Sequence, residues 1–108
     1  MRRRKQTKLF HIGAGVKNDD ARTSLEGKPN TNLDTYRKED GKFTSRKKYG
    51  EDGRAKKDLD AGHYDHNQKD HAHDYNGNKR SAERENLTKQ ERRELNKAKK
   101  KRRFWDGD

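Results

Sequence analysis

Two turn sequences of the same kind constrain the fold of this chain most strongly. Tyr36-Arg-Lys-Glu-Asp-Gly and Tyr49-Gly-Glu-Asp-Gly each place an Asp-Gly pair a few residues after a tyrosine, and the tyrosines lie 13 positions apart. Asp-Gly is a strong hairpin signal because glycine adopts the positive φ that a tight turn between strands requires. Strands at about 33–38, 42–49 and 54–60 would then form a three-stranded antiparallel meander.

The second of these strands carries both apolar and basic side chains. Because side chains alternate along a strand, we expect Phe43 and Tyr49 on one face and Arg46 and Lys48 on the other. The basic face could contact phosphate, or it could be the ordinary solvated face of a sheet.

Composition limits how large a core these strands can build. Hydrophobic residues make up 22% of the 108 residues and charged residues 45%. Low hydrophobicity combined with high net charge favours a single small core with extended termini. Cysteine is absent from the sequence, which excludes disulfides and thiolate metal sites.

The basic residues lie mainly at the two ends of the chain. The formal net charge is +11, and basic residues concentrate in residues 2–5 and 79–103. This distribution is typical of a protein that binds a polyanion, with nucleic acid the leading candidate, although a solvated, self-repelling surface would have the same composition. A membrane partner is not expected, because no segment joins the basic residues to a large apolar face.

The N-terminal segments carry weaker signals. Residues 1–8 are expected to form a basic arm and residues 17–30 a loop. Residues 9–16 alternate apolar and other side chains, which indicates a short strand or an apolar segment that docks on the core or on a partner.

The C-terminal part predicts a helix at about 89–102. Thr88-Lys-Gln-Glu91 has the pattern of a capping box, in which each side chain accepts a hydrogen bond from the other residue's backbone N–H. The apolar residues of this helix are Leu95 and Ala98, with Leu87 placed to pack just before it. So small an apolar face makes the helix marginal alone. An aromatic tail, Phe104-Trp105, follows.

The candidate chemistry lies in one histidine-rich window. Four of the five histidines, His63, His66, His71 and His73, fall among aspartates directly after the third expected strand. We therefore expect their side chains at a strand end and in the loop beyond it.

Two kinds of chemistry suit this window. Histidine and aspartate are ligands for zinc or a similar divalent ion, although the spacing matches no diagnostic metal motif. Alternatively, one histidine can act as base and another as acid in cleaving RNA, whose 2′-hydroxyl is the nucleophile. In this second interpretation His63 or His66 is the base and His71 or His73 the acid. The residues expected to steady phosphate there are Arg46, Lys48 and Lys57.

An ordered series of motifs runs from Gly27 to Tyr75. A Lys-Pro-Asn start leads through Asp-x-Tyr and two Asp-Gly turns to an Asp-Leu-Asp strand and a His-x-His-Asp-Tyr ending. The positions in this series are Lys28, Pro29, Asn30, Asp34, Tyr36, Asp40, Gly41, Arg46, Lys47, Tyr49, Asp52, Gly53, Asp58, Leu59, Asp60, His63, His66, His71, His73, Asp74 and Tyr75. The stretch resembles toxin domains of bacterial polymorphic toxin systems. This resemblance implies a small β-rich fold, nuclease activity on RNA and an immunity protein as partner. Such domains also occur among phage and prophage proteins.

Together these observations predict an α+β protein in three segments. Residues 1–26 hold the basic arm and apolar/loop segment, residues 27–78 a β-meander with a histidine-rich loop, and residues 79–108 a basic helix and aromatic tail. The predicted function is an endoribonuclease-like domain acting by histidine acid/base catalysis. The expected nucleic-acid-binding residues are Arg46, Lys48, Lys57, Arg92, Arg93, Lys100 and Arg103.

One alternative function remains open. A non-enzymatic basic protein of phage or prophage type would bind nucleic acid or a larger protein assembly. Either function suits a soluble protein of the bacterial cytoplasm or of a phage particle.

Overall fold

In the residues that the structure describes, a six-stranded sheet packs against one helix. A computed structural model describes residues 7–12, 25–62 and 69–103. The strands are adjacent in chain order: β1 (Thr7–Ile12), β2 (Asn32–Arg37), β3 (Phe43–Tyr49), β4 (Ala55–Asp60), β5 (His71–Asn76) and β6 (Lys79–Arg80). Strands β2 to β6 form an antiparallel meander, and the helix α1 (Lys89–Lys99) follows it. The predicted α+β class is confirmed, and β5 and β6 extend the meander beyond the three expected strands.

The Asp-Gly turns form as the sequence predicts. Gly41 has a φ of 69° and Gly53 a φ of 74°. At Gly53 a Cβ atom would also lie 2.6 Å from the backbone oxygen of Gly27, so both the turn and the neighbouring chain require glycine there.

In β3 the side chains are distributed between the two faces of the sheet differently from the prediction. The register pairs Thr35 with Ser45 but Tyr36 with Phe43, so Thr44 is an extra residue in β3. This bulge interrupts the alternation and turns Phe43 to the face that carries Arg46 and Lys48. The prediction that Phe43 shares a face with Tyr49 is therefore wrong.

The apolar residues divide into two clusters, one on each face of the sheet. The cluster beneath α1 is the larger one, and within it the rings of Tyr36 and Phe43 meet edge to face with centroids 5.7 Å apart. Its members are Tyr36, Phe43, Leu59, Ala61, Ala72, Leu87, Leu95 and Ala98. The opposite face carries Leu33, Tyr49 and Ala55, with Tyr75 packed against them. The histidines of β5 lie on this second face, because they alternate with Ala72.

Helix α1 begins at the predicted capping box and is held to the sheet by ion pairs as well as by apolar contacts. Thr88 Oγ1 accepts from the Glu91 backbone, and Glu91 Oε1 accepts from the Thr88 backbone. Glu94 accepts hydrogen bonds from Arg46 at 2.8 Å and from Lys48 at 2.6 Å, and Glu91 pairs with Lys57 at 2.8 Å. The helix ends at Lys99, three residues before the expected end.

The N-terminal strand differs from its prediction in extent. β1 includes Thr7 and Lys8, which were expected in the basic arm, and it pairs parallel with β2. Residues 13–16, the rest of the expected apolar segment, and the Phe104-Trp105 tail lie outside the described residues. Across the described residues, no helix is both long and apolar enough to cross a membrane.

Candidate active site

Two of the four clustered histidines lie side by side on β5. In the antiparallel register, Asp60 of β4 is opposite His71, and Asp58 is opposite His73. The structure thus places this histidine pair within a strand, and the expectation of a loop is corrected for these two residues. His63 and His66 lie outside the described residues.

The two imidazoles face one carboxylate oxygen. Nε2 of His71 and Nε2 of His73 each lie 3.6 Å from Oδ2 of Asp60. The imidazole rings meet edge to face with centroids 4.9 Å apart. Both histidines are buried, whereas the Asp60 side chain retains partial exposure.

Backbone carbonyls orient both rings. Nδ1 of His71 lies 2.8 Å from the carbonyl oxygen of Lys69, and Nδ1 of His73 lies 2.9 Å from that of Ser81. A carbonyl oxygen only accepts hydrogen bonds, so each Nδ1 must carry the proton. In the neutral imidazoles both Nε2 atoms therefore present a lone pair toward Asp60, ready to take a proton or to bind a metal ion.

Arg80 of β6 connects the histidine site to a second carboxylate. Its Nη2 donates to Oδ2 of Asp60 at 2.6 Å, and its Nε donates to Oδ2 of Asp58 at 2.9 Å. The hydroxyl of Tyr75 donates to the same Asp58 oxygen at 2.8 Å. The guanidinium thus lies across the two aspartates, and its cationic charge is adjacent to both imidazoles.

Burial and neighbouring charges alter acidities within this cluster. Burial raises the pKa of Asp60, as does the nearby charge of Asp58, while Arg80 and the two imidazoles oppose the rise. Burial lowers the pKa of His73, against the hydrogen bond to Ser81. The pKa of Tyr75 is raised by burial and by the charge of Asp58, so its phenol stays protonated. Compared with exposed side chains, these shifts make Asp60 easier to protonate and His73 harder to protonate.

The other basic residues expected at the site lie elsewhere in the fold. Arg46, Lys48 and Lys57 project from the face beneath α1, opposite to the histidines, where carboxylates engage them. Arg46 also makes a two-pronged contact with Asp34, at 2.7 and 2.8 Å. The structure does not bring these three cations to the histidine pair.

The expected basic residues of the C-terminal region lie on the surface. Each is exposed, and none is brought to the histidine pair. They are Arg92, Arg93, Lys100 and Arg103.

Sequence reasoning did not identify Arg80 as part of the site. The sequence indicates the position of Arg80 only indirectly. Polar and apolar residues alternate in Asp58-Leu59-Asp60 and in His71-Ala72-His73, so the aspartates and histidines share one face of the sheet once the two strands pair. The short Asn76-Gly77-Asn78 turn then returns the chain beside β5, which brings Arg80 back to this face.

The cluster of Asp60, His71 and His73 could hold a metal ion. One ligand atom from each residue lies within 4.8 Å of the others. Hydrogen bonds from Nδ1 to backbone carbonyls are also the usual support for histidines that bind metal through Nε2.

Comparisons with protein-family models, curated proteins and solved structures gave no significant match to this chain.

Proposed function

We propose that the protein is an endoribonuclease in which His71 and His73 act as the acid/base pair. The observation that supports this most directly is the common orientation of the two imidazoles. Each Nδ1 is occupied by a backbone carbonyl, so both Nε2 atoms face the same point beside the guanidinium of Arg80. A base, an acid and a cation are the groups that phosphodiester transfer requires.

The proposed reaction is an internal transesterification of RNA. One neutral imidazole removes the proton of the 2′-hydroxyl, and the 2′-oxygen attacks the adjacent phosphorus. The bond from phosphorus to the 5′-oxygen breaks, and the second imidazole, in its protonated form, donates a proton to that oxygen. The products are a 2′,3′-cyclic phosphate and a free 5′-hydroxyl. This chemistry selects RNA, because DNA lacks the nucleophile.

Arg80 and Asp60 have separate parts in this proposal. Arg80 is partly exposed at the edge of the site, so its guanidinium can contact the phosphate and stabilise the charge that develops on it. Asp60 faces both Nε2 atoms, so its carboxylate stabilises whichever imidazole carries the second proton.

Incubation of the purified protein with RNA tests this proposal. Wild type is expected to cleave in the presence of EDTA, and the His71→Ala/His73→Ala variant to lose at least about a hundredfold in rate, the usual contribution of a positioned acid or base. Cleavage ends carrying a cyclic phosphate would identify the transesterification. Wild type that cuts no RNA under any condition would refute the enzyme and leave nucleic-acid binding as the function.

A matched double variant tests the role of the preceding histidines. His63→Ala/His66→Ala removes the same two chemical groups while leaving His71 and His73 in place. Retained cleavage would assign both proton transfers to the β5 pair. Cleavage lost here would assign the base to His63 or His66.

The convergence of three ligand atoms favours a second candidate function, the binding of a zinc-like divalent ion. Nε2 of His71, Nε2 of His73 and Oδ2 of Asp60 are the nitrogen and oxygen donors that zinc uses. The guanidinium of Arg80 on the same oxygen opposes this function, because its positive charge would repel the ion. Cleavage that EDTA abolishes and zinc restores would replace the metal-free mechanism with a metal-dependent one.

A further inference from the structure

The outer surface of α1 carries positive charge without intervening carboxylates. The helix contains two acidic residues, Glu91 and Glu94, and both accept hydrogen bonds from cations of the sheet. The charged residues left exposed on α1 and its C-cap are all basic. They are Lys89, Arg92, Arg93, Lys97, Lys99 and Lys100.

Most of these cations have no partner within the described part of the chain. Lys99 is the exception, since its Nζ binds Asp70 at 2.8 Å. Within the described residues, neither ion pairs nor side-chain hydrogen bonds involve the other five, Lys89, Arg92, Arg93, Lys97 and Lys100. We call the last four of these, from Arg92 to Lys100, the outer cationic surface.

Helix stability does not account for all of this charge. Lysines near the C-terminal end of a helix interact favourably with its dipole, which explains Lys97 and Lys100. Arg92 and Arg93 lie in the N-terminal half, where that interaction is absent or reversed. Like charges four residues apart, such as Arg93 and Lys97, repel each other and destabilise the isolated helix.

The C-terminal end of α1 lies at the same end of the sheet as the histidine site. Asp70 accepts a hydrogen bond from Lys99 through one oxygen and from the backbone of Gly62 through the other. Gly62 follows Asp60 by two residues, and Asp70 immediately precedes His71. One carboxylate therefore joins the helix to both strand ends that carry the site.

We propose that the outer cationic surface binds the phosphate backbone of an RNA strand and guides it toward the end of the sheet where the histidine site lies. The side chains of Arg93 and Lys100 lie two helical turns apart on the outermost face, about 10 Å along the axis, so they contact separate phosphates. The choice of RNA as the occupant rests on the proposed ribonuclease function. The phosphate contacts themselves depend only on charge.

Binding of a short 2′-O-methyl RNA oligonucleotide, which lacks the reactive hydroxyl, tests the surface without cleavage. The Arg93→Gln/Lys100→Gln variant is expected to bind about tenfold more weakly at low salt. The slope of log affinity against log salt is expected to become less steep by about 1.4, the value for two lost contacts to a single strand. Fluorescence anisotropy over a salt series measures both quantities, and circular dichroism confirms that the helix is retained.

The matched control is Arg54→Gln/Lys79→Gln, which removes the same charge from exposed positions at the opposite end of the sheet. RNA binding by this control at nearly the wild-type affinity would support the proposal that the outer cationic surface binds RNA. Equal weakening by both double variants would show that only net charge matters and would overturn the proposal. Tighter binding of duplex DNA of the same length would also overturn it, by assigning the surface to DNA.

The His71→Ala/His73→Ala protein separates this proposal from the enzymatic one. It is expected to bind the oligonucleotide as wild type does. If this variant binds as tightly as wild type and neither protein cleaves RNA, the ribonuclease proposal is refuted and the binding surface is retained. Cleavage unaffected by Arg93→Gln/Lys100→Gln, at RNA concentrations well below KM, would refute the surface and retain the ribonuclease.

Discussion

Arg80 donates through Nη2 to Oδ2 of Asp60 at 2.6 Å, the same oxygen that both imidazole Nε2 atoms face. This contact places the guanidinium at the partly exposed edge of a histidine pair that is otherwise buried. It also neutralises part of the negative charge that Asp58 and Asp60 would otherwise concentrate on one face of β4.

Replacement of Arg80 by glutamine should therefore destabilise the fold. Asp58 is buried and would lose the cation that bonds it at 2.9 Å, so the two neighbouring carboxylates would keep the Tyr75 hydroxyl and the imidazoles but lose the guanidinium between them. Loss of one partner from a fully buried ion pair costs about 3–5 kcal/mol, and the partial exposure of Arg80 reduces the expected cost to about 2 kcal/mol. Urea denaturation measures the free energy of unfolding.

The control for this change is Lys79→Gln at the exposed neighbouring position, which is expected to alter stability by less than about 0.5 kcal/mol. An Arg80→Gln variant as stable as Lys79→Gln would contradict the role of the guanidinium as the link between the two aspartates.

The cluster beneath α1 should dominate the stability of the protein. Leu59 is fully buried between the sheet and the helix, so Leu59→Ala removes its apolar contacts and leaves a cavity. The expected loss is about 3 kcal/mol. Leu9→Ala makes the same chemical change at a side chain that is 44% exposed, and it should cost well under about 1 kcal/mol. Similar denaturation midpoints for the two variants would argue against a core at this interface.

Glu94 should contribute an acid-sensitive part of the stability. Burial alone would raise its pKa, but hydrogen bonds from Lys48 and Arg46 outweigh burial and lower the pKa below its ordinary value of 4.5. The folded protein then binds fewer protons at this group than the unfolded chain does. The contribution is therefore complete above pH 4.5 and is lost as the pH falls through the lower, folded-state pKa.

A pH series of denaturation experiments on Glu94→Gln tests this linkage. The variant should be less stable than wild type above pH 4.5, and the difference should shrink on acidification. Glu83→Gln removes an exposed carboxylate outside the helix and is the matched control, with an expected free energy of unfolding at neutral pH close to that of wild type. A constant difference between Glu94→Gln and wild type across the acid range would mean that Glu94 acts through packing and not through its charge.

Zinc should stabilise the wild-type protein only if the second candidate function is correct. At a free zinc concentration of about 100 times Kd, binding to the folded state alone adds about 2.7 kcal/mol to the free energy of unfolding. His73→Ala should abolish this stabilisation by removing one of the three converging ligand atoms. Asp52→Asn, at an exposed carboxylate of the β3–β4 turn, should preserve it. A zinc effect that survives in His73→Ala would place the ion elsewhere.

Local chemistry in the sequence determined the turns and the start of the helix. The glycines of the two Asp-Gly turns adopt the expected positive φ, and Thr88 and Glu91 form the capping box. These features depend on residues within a few positions of one another, so the local sequence is enough to predict them. The three central strands were predicted for the same reason.

Contacts between distant segments determined which side chains lie on each face of the sheet and which ones form the histidine site. The extra residue at Thr44 turns Phe43 toward the helix, and no local pattern in β3 indicates it. Arg46, Lys48 and Lys57 were expected to meet phosphate, but helix carboxylates that follow much later in the sequence engage them. The sequence identified His71 and His73 as chemically notable. Only the pairing of β4, β5 and β6 brought them together with Asp60 and Arg80, because strand register depends on packing across the whole sheet and not on neighbouring residues.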